Sequence, residues 1–143
     1  MKIRWTQNSV RFRITPSELA AIERGEAVIE TLQLPGAVAA GAVAWCAAII
    51  PTAEETTLTF ESGKLNLSLS KADLQQLAVP ENEGVYFQAQ GELAFRYLIE
   101  KDFPCAHPRA ADALEPTTET FVPPSGFEER KQQQSNVPIN PSS

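Results

Sequence analysis

Only two cysteines, one histidine and no apolar run longer than 14 residues occur in this chain of 143 residues. Each scarcity removes a class of protein. Cys46, inside that run, and Cys105 are too few for a disulfide framework; both are expected reduced, the first buried and the second exposed. His107, with Cys105 its sole companion, falls short of the about four ligands of a structural zinc site or the about three of a catalytic one. A Cys–His nucleophile pair needs a rigid surround, and Pro104 and Pro108 set these residues in an irregular segment. The apolar run, Ala37 to Ile50, is too short and too rich in alanine to span a bilayer. Met1 leads directly into strand-like alternation, so neither a membrane nor a targeting signal is expected, and the cytoplasm of a bacterial-type cell is the expected setting. Gly-rich phosphate loops, Ser-centred elbows and paired-His helices are lacking too, and no metal or cofactor is expected.

Positive charge is also short. The formal net charge of −6 argues against nucleic acid as a partner, because such binding rests on neutralising phosphates. What positive charge there is sits unevenly: residues 1–13 hold Lys2, Arg4, Arg11 and Arg13 and no acid.

The chain does contain one pattern written twice, 55 positions apart. Ile3, Trp5, Val10, Phe12, Ile14, Thr15, Glu18, Leu19 and Ile22 match Leu58, Phe60, Leu65, Leu67, Leu69, Ser70, Asp73, Leu74 and Leu77. Alternation around Ile3–Trp5 and Val10–Ile14 predicts two strands joined at Gln7-Asn8, and Ser62-Gly63 occupies the matching turn. Thr15-Pro16-Ser17-Glu18 carries a capping box with proline at the first helical position, and Gly25 suits the stop. Ser70-Lys71-Ala72-Asp73 repeats the start, and Pro80 ends that helix. Strands are then expected over 27–34, 37–50, 85–90 and 92–100, the second on its place in the repeat alone, since its alanines favour helix.

The expected fold class is therefore α+β: about eight mainly antiparallel strands and two short helices from a duplicated ββαββ unit, barrel-like or as two packed sheets. One compact domain is expected over 1–103, with halves of about 2–50 and 57–100. Residues 104–143 hold seven of the eleven prolines and read as an extended or disordered tail. Phe121-Val122-Pro123-Pro124 and Phe127 within it have the makeup of a short docking segment.

Met1-Lys2-Ile3-Arg4, Asn8 through Thr15 with Ser17-Glu18, and Glu100-Lys101-Asp102-Phe103-Pro104-Cys105 together resemble a family of small bacterial proteins of unknown function. The resemblance covers residues 1–105 and implies no activity.

Lys2, Arg4, Arg11 and Arg13 are the candidate site. In the predicted hairpin Arg4 faces Arg11 and Lys2 faces Arg13, two opposed like-charge pairs that each cost up to ~1 kcal/mol uncompensated. The second copy has Thr57, Thr59, Asn66 and Ser68 there, so the fold does not need the charges. Two compensators compete: acids such as Glu100, Asp102, Glu30 or Glu92, or a phosphate- or carboxylate-bearing ligand held by the arginine forks. Triphosphate-tunnel enzymes, which a duplicated barrel with inward cations resembles in outline, need a run of alternating glutamates followed by lysine, and none occurs. Trp5 and Trp45 are expected in the core. A non-enzymatic binding or interaction module with a protein partner is the leading function; a small enzyme or sensor acting on an anionic small molecule is the alternative.

Overall fold

The computed structural model describes residues 1–33, 44–89, 91, 94–104 and 119–130. In chain order these form β1 (Lys2–Thr6), β2 (Ser9–Ile14), α1 (Pro16–Glu23), β3 (Val28–Gln33), β4 (Ala44–Thr52), β5 (Thr57–Glu61), β6 (Lys64–Ser70), α2 (Lys71–Ala78), β7 (Gly84–Gln88) and β8 (Arg96–Lys101). The class is α+β, with eight strands in two open four-stranded sheets rather than a closed barrel.

The hairpins form in the register that the alternation predicts: Arg4 lies opposite Arg11, Lys2 opposite Arg13, Thr59 opposite Asn66 and Thr57 opposite Ser68. Ser62 and Gly63 turn through positive φ, while Gln7 and Asn8 make their loop without it. Ala44–Thr52 is a strand, as its place in the repeat required; residues 37–43 of that expected element lie outside the described residues. Its alanines yield to the hydrogen bonds and burial available between two neighbouring strands.

Strand order departs from a simple antiparallel meander. One sheet runs β1-β2-β8-β7 and the other β3-β4-β6-β5, so each sheet takes one hairpin from each half of the chain. The two central pairs, β2 with β8 and β4 with β6, are parallel. The helix after each first hairpin carries the chain across to the opposite sheet, and there the hairpin of the other half is the available neighbour. Inner faces supply the core: Phe12, Ile14, Ile49, Leu67, Leu69 and Ile99 are fully buried, and α1 and α2 add Ile22 and Leu77.

Both helix starts are built as the repeat predicts, with one difference in wiring. The Thr15 hydroxyl accepts from the Glu18 amide at 3.3 Å, and the Thr15 amide donates to Glu18 Oε2 at 2.8 Å. The Met1 ammonium pairs with the other oxygen of Glu18. At α2 the acid is Asp73, one methylene shorter. The Ser70 hydroxyl still accepts from the Asp73 amide at 3.1 Å, but the Ser70 amide donates to the Thr56 hydroxyl at 2.8 Å, which in turn donates to Asp73. Gly25 takes φ +86° after α1, and the Glu26 amide closes back on the Ala21 carbonyl at 3.0 Å.

Residues 119–130 return to the sheets. The Phe121 amide donates to the Asp102 carbonyl at 2.9 Å, the Phe103 and Phe127 rings lie 4.7 Å apart, and Arg130 reaches Glu83 at 3.1 Å. Phe127 is buried. The composition-based tail from residue 104 thus includes a segment that packs on the domain, because two aromatic side chains, Phe121 and Phe127, suffice to anchor a proline-rich stretch. Residues 105–118 and 131–143 lie outside the described residues.

Thr15→Ala and Ser70→Ala should each cost ~1 kcal/mol. Urea denaturation of the two single variants measures this, and loss at one cap without the other would show that the two helix starts are not energetically equivalent.

Candidate functional site

The four cations of the first hairpin share the outer face of the β1-β2-β8-β7 sheet, and three of them meet carboxylates. Parallel pairing places Arg13 beside Glu100 and Arg11 beside Leu98. Arg11 Nε and Arg13 Nε lie 3.5 and 3.6 Å from the same oxygen, Glu100 Oε2. The Tyr86 hydroxyl donates to the other oxygen at 3.3 Å. Lys2 Nζ lies 2.8 Å from Asp102 Oδ2, close enough for an ion pair though not aligned as a hydrogen bond, and no other donor among the described residues reaches that buried oxygen. Arg4 is exposed and makes no ion pair among the described residues. Glu30 instead faces the Met1 ammonium at 3.6 Å, and Glu92 lies outside the described residues.

Glu100 therefore offsets the like-charge opposition by standing between two arginines. Each pair is partly solvated, so each contributes at most ~1 kcal/mol. The same carboxylate acts on Tyr86. Its phenol is pushed up to about 12, first by burial of the hydroxyl end and then by Glu100, although 61% of the residue as a whole is exposed. On the inner face of β8, Lys101 is buried and donates to the Val79 carbonyl at 2.6 Å, capping the end of α2, with the Phe121 ring 5.6 Å away. Burial lowers its pKa, against an opposing influence from Glu81.

The tryptophans correct an expectation. Trp5 is 59% exposed, and Trp45 is only half-buried. Their rings meet at 5.2 Å, tilted by 56°, and Phe60 joins Trp45 at 6.1 Å and 43°. Phe60 is itself 58% exposed. All three belong to inner faces, since Trp5 lies opposite Val10, Phe60 opposite Leu65, and Trp45 two residues before Ala47. Val10 and Leu65 are the last buried layer at this end. The strands continue past it toward their turns, and both helices begin at the other ends of β2 and β6. Leu32, opposite Trp45 on β3, is 46% exposed and extends the patch. Strand alternation sends the adjacent charges, Arg4 and Glu61, to the outer faces. Position relative to the turn was the signal available in the sequence: Trp5 and Phe60 are the last apolar residues before Gln7-Asn8 and Ser62-Gly63.

An open groove of about 600 Å³ lies near both helices, lined by Ile22, Pro51, Leu69, Leu74 and Ala78 among others, with Glu23 and Lys71 its titratable groups. Among the described residues no three His, Cys, Asp or Glu side chains are grouped to hold a metal ion, and no helix is long and apolar enough to cross a membrane.

Two outcomes follow from Glu100. Arg11→Asn should lower stability by ~0.5–1 kcal/mol, whereas Arg4→Thr should change it by less than ~0.5 kcal/mol or raise it, because Arg4 opposes Arg11 without a carboxylate of its own. Equal losses in chemical denaturation would contradict this wiring. The raised folded-state pKa of Tyr86 contributes stability that is complete below pH 10.0, the unfolded value, and is lost as pH rises to about 12. Denaturation across that window should show a shallower fall for Tyr86→Phe than for the parent chain.

One family model matches the chain over residues 1–120, and its description is a family of unknown function, DUF7009. No curated protein matches, and no solved structure matches.

Proposed function

We propose, for a chain that belongs to the family of unknown function DUF7009, that the protein is a non-enzymatic interaction module whose contact surface is the aromatic cluster of Trp5, Trp45 and Phe60. The carrying observation is that two rings more than half exposed touch a third, while Phe12 and Tyr97 on the same inner faces are buried. A solvent-facing aromatic cluster is not required by the core. Interface centres favour aromatic side chains and are depleted of charge, and this patch matches on both counts. The rings are tilted against one another by 56° and 43°, so they present edges as well as faces rather than one flat stacking platform. An uncharged, extended, proline-containing peptide suits such a patch. Its pyrrolidine rings fill aromatic-lined grooves, and its backbone is already restricted before binding.

Support for an anionic small molecule at Lys2, Arg4, Arg11 and Arg13 is weaker, since Glu100 and Asp102 already serve three of the four and only Arg4 has no ion pair among the described residues. Support for the two halves as a duplicated unit comes from their shared element order and equal hairpin registers.

Tryptophan emission of the full chain should shift on titration with an oligoproline peptide. The response should weaken about tenfold or more in a Trp5→Ser, Phe60→Ser double variant, in line with the loss of central aromatic anchors. The variant's melting temperature should stay close to the parent's, because both side chains are mainly exposed. Unchanged emission at millimolar peptide, or a response indifferent to the double change, would refute the assignment.

A further inference from the structure

Among the described residues two open sheets leave four edge strands, β1, β7, β3 and β5, each presenting backbone N–H and C=O groups to an incoming strand. Three of the four are guarded. β1 carries Lys2 and Arg4. β7 has its Tyr86 hydroxyl bonded to Glu100, and Arg130 bridges to Glu83 at its entry. β5 shows apolar side chains on its inner face only, with Thr57, Thr59 and Glu61 outward.

β3 differs from these. Every residue from Ile29 to Gln33 is exposed, and Glu30 is its single charge. Pairing with β4 puts Ile29 on the outer face, opposite Ala48, and Leu32 on the inner face, opposite Trp45. Ile29 is 63% exposed, so apolar side chains stand open on both sides of one unpaired edge. The outer face that continues from it through Thr31, Cys46, Ala48, Ile50, Asn66 and Ser68 carries no charge until Lys64 and Glu61 at one end. For a chain of net charge −6, this is where a second copy meets least repulsion.

We propose that β3 is a self-pairing edge: two copies join through it, antiparallel, across a two-fold axis. The β3-β4-β6-β5 sheets of the two copies then continue as one eight-stranded sheet.

The register follows from physics. A two-fold axis normal to the sheet keeps outer residues opposite outer residues, so the axis must pass at a residue and not between two. For the six residues of β3, the two central choices are Glu30 and Thr31. Centring on Glu30 sets two carboxylates directly opposite each other, a destabilising arrangement. Centring on Thr31 sets threonine against threonine, Glu30 against Leu32 of the other copy, and Ile29 against its Gln33. Glu30 there keeps its contact with the Met1 ammonium. The Thr31 register is the one that remains.

Light scattering of the full chain, from micromolar to submillimolar concentration, should show growth from 15.6 kDa toward twice that mass. Thr31→Lys should raise the dissociation constant about tenfold or more, because it opposes two ammonium groups on the axis, and Thr31→Glu should do likewise with two carboxylates. Mixing the two variants should restore dimers, since lysine then faces glutamate. Far-UV circular dichroism on each variant separates dissociation from unfolding, and restoration on mixing itself requires folded partners. A parent chain monomeric at every concentration overturns the proposal. So does a dimer that survives Thr31→Lys, which would lie on another surface, or a mixture that stays monomeric, which would remove Thr31 from the axis.

Discussion

Parallel pairing between the two halves is the constraint on which this molecule rests. β2 lies beside β8 and β4 beside β6, so neither half contains a complete sheet. Phe12 next to Ile99, and Leu67 next to Ile49, are core contacts made between the first and last hairpins or across the junction of the two halves. The loop-closure entropy of such pairs must be overcome before they contribute, which favours slow, all-or-none folding. Burial of eight large side chains at full coverage is the return on that closure.

Charge on the outer faces follows from the same pairing. Three of the four cations of β1 and β2 are compensated from the other half, through Glu100 of β8 and Asp102 just after it. The corresponding face of the second hairpin has threonine, asparagine and serine and needs no such help. One sheet thus presents a partly paired ionic lattice to solvent and the other a nearly uncharged surface. The difference separates two kinds of contact: salt-sensitive on the first sheet, and governed by shape and backbone pairing on the second.

Much of this was legible in residue order. Alternation at Ile3–Trp5 and Val10–Ile14 gave the hairpin and its register, and Thr15-Pro16-Ser17-Glu18 gave the start of α1. Those signals are local, set by neighbours within four residues. The parallel pairs were not legible, because nothing local states which hairpin a strand will meet after a crossing helix. Trp5 was read as core from its periodicity, yet periodicity reports which face a side chain takes and not how far along the strand the core extends. Composition alone assigns Phe127 to an extended or disordered tail for a related reason: it averages over a segment, although Phe121 and Phe127 within it have the makeup of one that docks. In the candidate site, the arginine opposition was visible in advance, but the choice of Glu100 as the shared carboxylate depended on the β2–β8 register.

The crossing of hairpins between sheets also bears on how the chain can be divided. The link from β4 to β5, Ala53 to Thr56, is the midpoint of the order of elements, and an interruption there would leave two pieces of similar plan. In space no such boundary exists, because each piece would own half of both sheets and finish neither. Two such pieces would have to fold around each other, so the midpoint offers a place to split this protein into fragments that reassemble, and no place to cut it into modules that stand alone.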